Sequence, residues 1–229
     1  MCINKESTKV MLRADVIKHK KVAFTMSEVL ITLGIIGIVA AMTLPTVITK
    51  YKRKTAETKL AKFYSVINQA IRMSIAEHGE IIIDNENKSD ATNAEYIEQW
   101  YKENITKYIK TINEEGADKN SAYYKVAFID GSGFNSYMSG SNPANGKSNL
   151  YIFYCLNYKT CKLGHYEGEN QFLFTYSPEK QSVVPTFSNL TIEKLKQQCY
   201  SENEGSRHGC TALIQANGWR IPEDYPWIR

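Results

Sequence analysis

Lys20-Lys21-Val22-Ala23-Phe24-Thr25-Met26-Ser27-Glu28-Val29-Leu30-Ile31-Thr32-Leu33-Gly34-Ile35-Ile36-Gly37-Ile38-Val39-Ala40-Ala41-Met42-Thr43-Leu44-Pro45 is the stretch on which the reading of this chain turns. Its uninterrupted apolar run, Val29–Leu44, is 16 residues long. That is the short end for a bilayer span, and Phe24–Met26 and Val47–Ile48 extend it. A basic leader precedes it, and Glu28 stands at its front edge. A carboxylate carried to the bilayer centre costs about 2.5–3.5 kcal/mol on insertion scales, so Glu28 asks for a partner. An ordinary secretory signal would end in a small-x-small site, of which Ala40-Ala41-Met42 is a poor version.

These residues resemble the N-terminal segment of type IV prepilins and of type II secretion pseudopilins. The resemblance covers about residues 18–65. It implies a cut by prepilin peptidase between Ala23 and Phe24, methylation of the new Phe24 amine, and Glu28 as fifth residue of the mature chain. It departs from the family at Ala23, where Gly is commoner, and at Met26-Ser27, where Leu-Ile or Leu-Val is commoner. Neither change rules out the cut. Pro45 falls where the family usually kinks its helix. Transmembrane helices tolerate glycine and proline routinely. The resemblance favours a role for Gly34 and Gly37 in close helix approach and for Pro45 in loosening the helix when subunits pack.

Beyond Pro45 the helical pattern continues. Leu60, Phe63, Ile67, Ile71 and Ile75 step by three and four along one face, with Lys59, Lys62, Asn68 and Arg72 opposite. One helix from Phe24 to about His78 would be on the order of 80 Å long. Its first half has no polar face and suits lipid or a bundle; its second half suits packing on a sheet.

The net charge of +4 is located in the leader: residues 1–23 hold six Lys/Arg against Glu6 and Asp15, leaving 22 basic and 22 acidic residues in the remainder. A neutral remainder argues against nucleic-acid binding, and a basic leader fits an anionic cytoplasmic membrane face. Lys18, Lys20 and Lys21 before the apolar run are matched by Lys50, Lys52, Arg53 and Lys54 after it, so flanking charge does not set orientation. Cys2 goes with the leader. Cys155, Cys161, Cys199 and Cys210 form an even set that suggests two disulfides among three pairings, the local one (Cys155–Cys161, Cys199–Cys210) being favoured. Free thiols in a cytosolic domain are the alternative.

A polar linker is expected over 79–94, a second helix over Ala94–Ile112, and strands over Tyr123–Ile129, Leu150–Asn157, Gln171–Tyr176 and Ser182–Phe187. Helices are expected over Asn189–Tyr200 and Thr211–Ala216. The aromatic, proline-rich end, Asn217–Trp227, is expected to pack back as a strand and loop. Asp130-Gly131-Ser132-Gly133 with Asn142 and Asn145 lacks the acid-rich alternation of a calcium loop and reads as a hairpin turn. Cys161 with His165, and His208 with Cys210, match no zinc spacing and lack the third group a catalytic thiol needs.

The expected fold class is α+β and pilin-like, a long N-terminal helix on a C-terminal antiparallel sheet domain. The expected division is a leader over 1–23 that is removed, a membrane and filament-core half over 24–48, an amphipathic half over 49–78, and a head over 79–229. The implied function is a structural subunit of a type IV pilus or a type II secretion pseudopilus. Its partners would be copies of itself and related pilins or pseudopilins, prepilin peptidase, the inner-membrane assembly machinery and the bilayer, with no catalysis, cofactor, metal or nucleic acid. The N-terminus would be cytoplasmic and the head extracytoplasmic. The alternative is a signal-anchored extracytoplasmic binding or enzymatic domain.

Overall fold

Helix α1 runs from Met26 to His78 and opens with a capping box. The Thr25 hydroxyl accepts from the Glu28 N–H at 3.2 Å, while Glu28 Oε2 accepts from the Thr25 N–H and hydroxyl, each at 2.8 Å. Gly79 ends the helix at φ +86°, its N–H returning to the Ile75 carbonyl. The computed structural model describes residues 24–83, 94–118, 121–142 and 147–228; for Ala94, 139–142 and 147–149 it describes the backbone alone. The expected leader 1–23, with Cys2 and Ala23, most of the polar linker, and Asn145 lie outside the described residues.

The chain divides into two compact units, Met1–Pro45 and Thr46–Arg229. In the first, the described residues are one apolar helical stretch whose side chains are all exposed. It supplies the one helix among the described residues long and apolar enough to cross a membrane, compatible with a single-pass anchor.

In the second unit, the rest of α1 buries Ala56, Leu60, Phe63, Ile67, Ala70 and Ile71, with Ile75 half-buried beside them. Phe63 stacks on Tyr154 at 4.2 Å between ring centres and meets Phe174 edge-on at 5.1 Å. Asn68 corrects the expected solvated face. It is buried, donating to the Val183 carbonyl at 3.0 Å and accepting the Val183 N–H at 2.9 Å. Its amide thereby stands in for a neighbouring strand at the sheet edge. Lys59 also turns inward, donating to the carbonyl of Leu156 at 2.8 Å.

Six strands follow one another as an antiparallel meander: β1 Ile112–Ala117, β2 Tyr124–Phe128, β3 Gly133–Asn142, β4 Lys147–Cys155, β5 Gln171–Ser177 and β6 Ser182–Pro185. The architecture is α+β, as expected. Alternation puts Phe134 and Met138, Leu150, Ile152 and Tyr154, and Phe172, Phe174 and Tyr176 into the core with α1. On the other face, the buried Asn135 and Gln171 hold the 161–165 loop: Gln171 bonds the Lys162 N–H and carbonyl, each at 2.7 Å. β1 and β3 lie outside the strands that the sequence pattern predicts. The second helix, α2, ends at Asn104 instead of Ile112; a short 3₁₀ turn, Thr106–Tyr108, follows, and Ile112 opens β1. Helices α3 (Ile192–Cys199) and α4 (Cys210–Ala216) pack together near the end of the chain. Thr191 caps α3 through its hydroxyl.

Candidate functional site

The residues singled out for processing and assembly stand at the start of α1. Phe24 is 82% exposed. One oxygen of Glu28, Oε2, takes both Thr25 bonds, so the carboxylate caps its own helix without a partner chain. A carboxylate carries about four acceptor sites, so this cap leaves it capacity for a further donor. A Cβ added at Gly34 or Gly37 would meet nothing within 4 Å; the small size of these residues is not used by contacts inside the chain. Pro45 lies within α1 and brings no N–H to the helical ladder, so the Ala41 carbonyl loses its usual donor.

A contact missed from sequence lies farther along the helix. By sequence Arg53 belongs with Lys50, Lys52 and Lys54 as flanking charge. Its guanidinium instead donates to four backbone carbonyls of the C-terminal strap: Pro222 (2.9 Å), Tyr225 (3.1 Å), Glu223 (3.3 Å) and Ile228 (3.3 Å). Nearby, Glu57 accepts the Ile221 N–H at 3.0 Å. The strap also holds Tyr225, buried and bonded to the Gly168 carbonyl at 2.5 Å, and Trp227, whose indole N–H reaches the Cys199 carbonyl at 2.6 Å. Arg207 covers the Trp227 ring at 3.3 Å. So the end of the chain packs back as expected, but by turns; among its described residues none is in a strand. No spacing rule announces a fork that binds carbonyls of a segment about 170 positions away.

The four cysteines form the disulfides Cys155–Cys161 and Cys199–Cys210. They leave no thiolate for His165 or His208 to share a metal with. Among the described residues no group of three or more metal-ligating side chains gathers. His208 packs against Tyr166 at 4.6 Å between rings.

Asp130 occupies the hairpin turn between β2 and β3, with Gly131 at φ +76° supplying its left-handed residue. Its carboxylate accepts from Lys62 at 2.8 Å and from the Ser132 hydroxyl and N–H at 2.5 and 3.1 Å. Burial pushes this carboxyl up, but the bonds from Lys62 and Ser132 outweigh it and bring the pKa from the ordinary 3.8 to about 2. A depressed folded-state pKa adds stability that is present above about pH 4 and lost as pH falls through about 2. With allowance for solvent screening, the contribution is on the order of 1 kcal/mol. Lys62→Met should therefore lower stability by about that much at pH 7 and by progressively less between pH 4 and 2. Equal losses at pH 7 and pH 2 in urea titrations would show that the pair does not act through charge.

Residues 46–228 match a family of unknown function, DUF6613. The chain belongs to this family. No curated protein and no solved structure matches it. The extent of the DUF6613 match coincides with the second structural unit: both begin at Thr46, directly after Pro45. The apolar stretch with Phe24, Glu28, Gly34 and Gly37 lies outside that match, while the disulfides, the sheet, the strap and Arg53 lie within it.

Proposed function

We propose that this chain is a prepilin-type subunit of a type IV filament, either a pilus or a type II secretion pseudopilus, whose work is assembly and not catalysis. The observation that carries the reading is the change of character within α1. Its first part is apolar, exposed all round and headed by a single carboxylate. Its later part buries one stripe under a disulfide-bonded sheet domain. An all-exposed apolar helix needs lipid or other helices around it, and a helix bundle in a filament core supplies the second once lipid is left behind.

In this reading the leader is removed between Ala23 and Phe24 by prepilin peptidase, and the Phe24 amine is methylated. The mature subunit sits single-pass in the inner membrane, N-terminus cytoplasmic and head outside, until the assembly machinery draws it into a filament. Glu28 then takes the Phe24 amine of a neighbouring copy. The open surroundings of Gly34 and Gly37 receive neighbouring helices. The two disulfides suit a head in an oxidising compartment.

Mass spectrometry of the N-terminus of the membrane-extracted protein tests this. The expected product begins at N-methylated Phe24, and Ala23→Leu should leave the leader attached. A mature chain that still begins at Met1 would overturn the processing step and leave a signal-anchored domain in its place.

A further inference from the structure

Lys50, Lys52 and Lys54 follow the apolar run together with Arg53. Lys50, Tyr51, Lys52 and Lys54 are exposed, with Tyr51 at 73% and the Lys54 side chain at 73%, whereas Arg53 is drawn into the strap. At about 100° per residue, Lys50, Lys54, Tyr51 and Lys52 fall at roughly 0°, 40°, 100° and 200° around the helix, and Arg53 at roughly 300°. The sector of Arg53 is the one the strap covers. The other four side chains encircle the remaining sides, within about 6 Å of rise.

We propose that Lys50, Lys52 and Lys54, with Tyr51, form a collar that binds anionic phospholipid headgroups at the outer membrane–water interface of the span. This rests on the membrane reading above and deepens it. Three ammonium groups and a tyrosine at one level of a helix match the phosphate and glycerol layer of a bilayer, where tyrosine and snorkelling lysine concentrate. Two nearby acids, Glu57 at 3.7 Å from Lys54 and the exposed Glu223, stand against three lysines and Arg53.

Processing gives the collar its purpose. Removal of residues 1–23 takes away all six basic residues on the cytoplasmic side of the span. The basic side chains nearest to the mature span are then those of the collar and Arg53. Before cleavage the leader holds the chain at the inner face; afterwards the collar holds it at the outer one, until extraction.

The test uses the processed chain beginning at Phe24, without the basic leader, in nanodiscs of mixed phosphatidylcholine and phosphatidylglycerol, the bound lipid being read by native mass spectrometry. The wild type should be enriched in phosphatidylglycerol at low salt and lose the enrichment at 1 M salt, where screening reaches within about 3 Å. Each lysine should contribute about fivefold, from about 1 kcal/mol per basic residue near an anionic surface. K50Q/K52Q/K54Q should abolish the enrichment; K159Q/K180Q/K194Q, exposed lysines of the head, should retain it. Inorganic phosphate at millimolar concentration should not displace the lipid.

A wild type that inserts yet binds the two lipids equally would overturn the collar alone. Failure to insert even into phosphatidylcholine would overturn the span and the collar with it. A triple variant with unchanged lipid enrichment but lost self-association would assign these lysines to an acidic protein partner instead.

Discussion

A chain that begins at Gly79 will not fold cooperatively, whereas one that begins at Thr46 will. The difference is the second half of α1. Leu60, Ile67 and Ile71 are fully buried and Phe63 is 4% exposed. Removing them would bare the inward face of β2 to β5, where Phe128, Phe134, Tyr154 and Phe174 meet the Phe63 ring. An aromatic patch of that kind drives aggregation. It would also free Val183 at the β6 edge, whose N–H and carbonyl both rely on Asn68. The single substitution Phe63→Ala should lower the unfolding free energy by about 3–5 kcal/mol, a large share of the 5–15 kcal/mol typical of a domain. Calorimetry of the two truncated chains decides the matter. If the Gly79 chain melts as sharply and as high as the Thr46 chain, α1 is not part of the core.

The parts of this fold that were legible in the sequence are those with a local signature. The stripe Leu60, Phe63, Ile67, Ile71 has helical spacing, and β2, β4, β5 and β6 are rich in aromatic and branched residues. β1 (Ile-Asn-Glu-Glu-Gly-Ala) has no apolar alternation because it is an edge strand, held by its ladder to β2 and by the Glu98 carboxylate accepting the Ala117 N–H. β3 (Gly-Phe-Asn-Ser-Tyr-Met-Ser-Gly-Ser-Asn) looks like turn sequence, yet Phe134, Ser136 and Met138 alternate inward. Its Ser136 is tolerated in the core because its hydroxyl donates to the Tyr151 carbonyl and accepts from Tyr101. Asn68 and Arg53 were misread for a common reason. Each looked like a solvated polar residue, and each serves backbone groups more than a hundred positions away. The proposed assembly residues could be named from sequence because Glu28, Gly34, Gly37 and Pro45 lie in α1, with Phe24 two residues before it, where sequence distance is spatial distance.

Glu28→Ala should leave processing, membrane insertion and the fold of the head intact while abolishing filament assembly. The first three follow because Glu28 is exposed, lies in the first unit and, among the described residues, makes its side-chain hydrogen bonds to Thr25. Loss of the capping box weakens the first helical turn by about 1 kcal/mol, which does not touch the melting of the second unit. Assembly is different. Under the proposed function the carboxylate meets the Phe24 amine of a neighbour inside a helix bundle, and removing one partner of a buried pair costs about 3–5 kcal/mol, because the remaining charge is uncompensated. At 1.4 kcal/mol per tenfold that is a factor of roughly 10² to 4 × 10³ at every added subunit, enough to prevent elongation. Glu28→Gln should rescue little, since an amide keeps the shape and the Thr25 bonds but not the charge. The measurement is filament yield from sheared cells beside the thermal melt of the purified subunit. Filaments at wild-type yield from the Glu28→Ala chain would remove the charge pair from the proposal; a lowered melt of the head would mean that Glu28 supports the fold rather than the contact between copies.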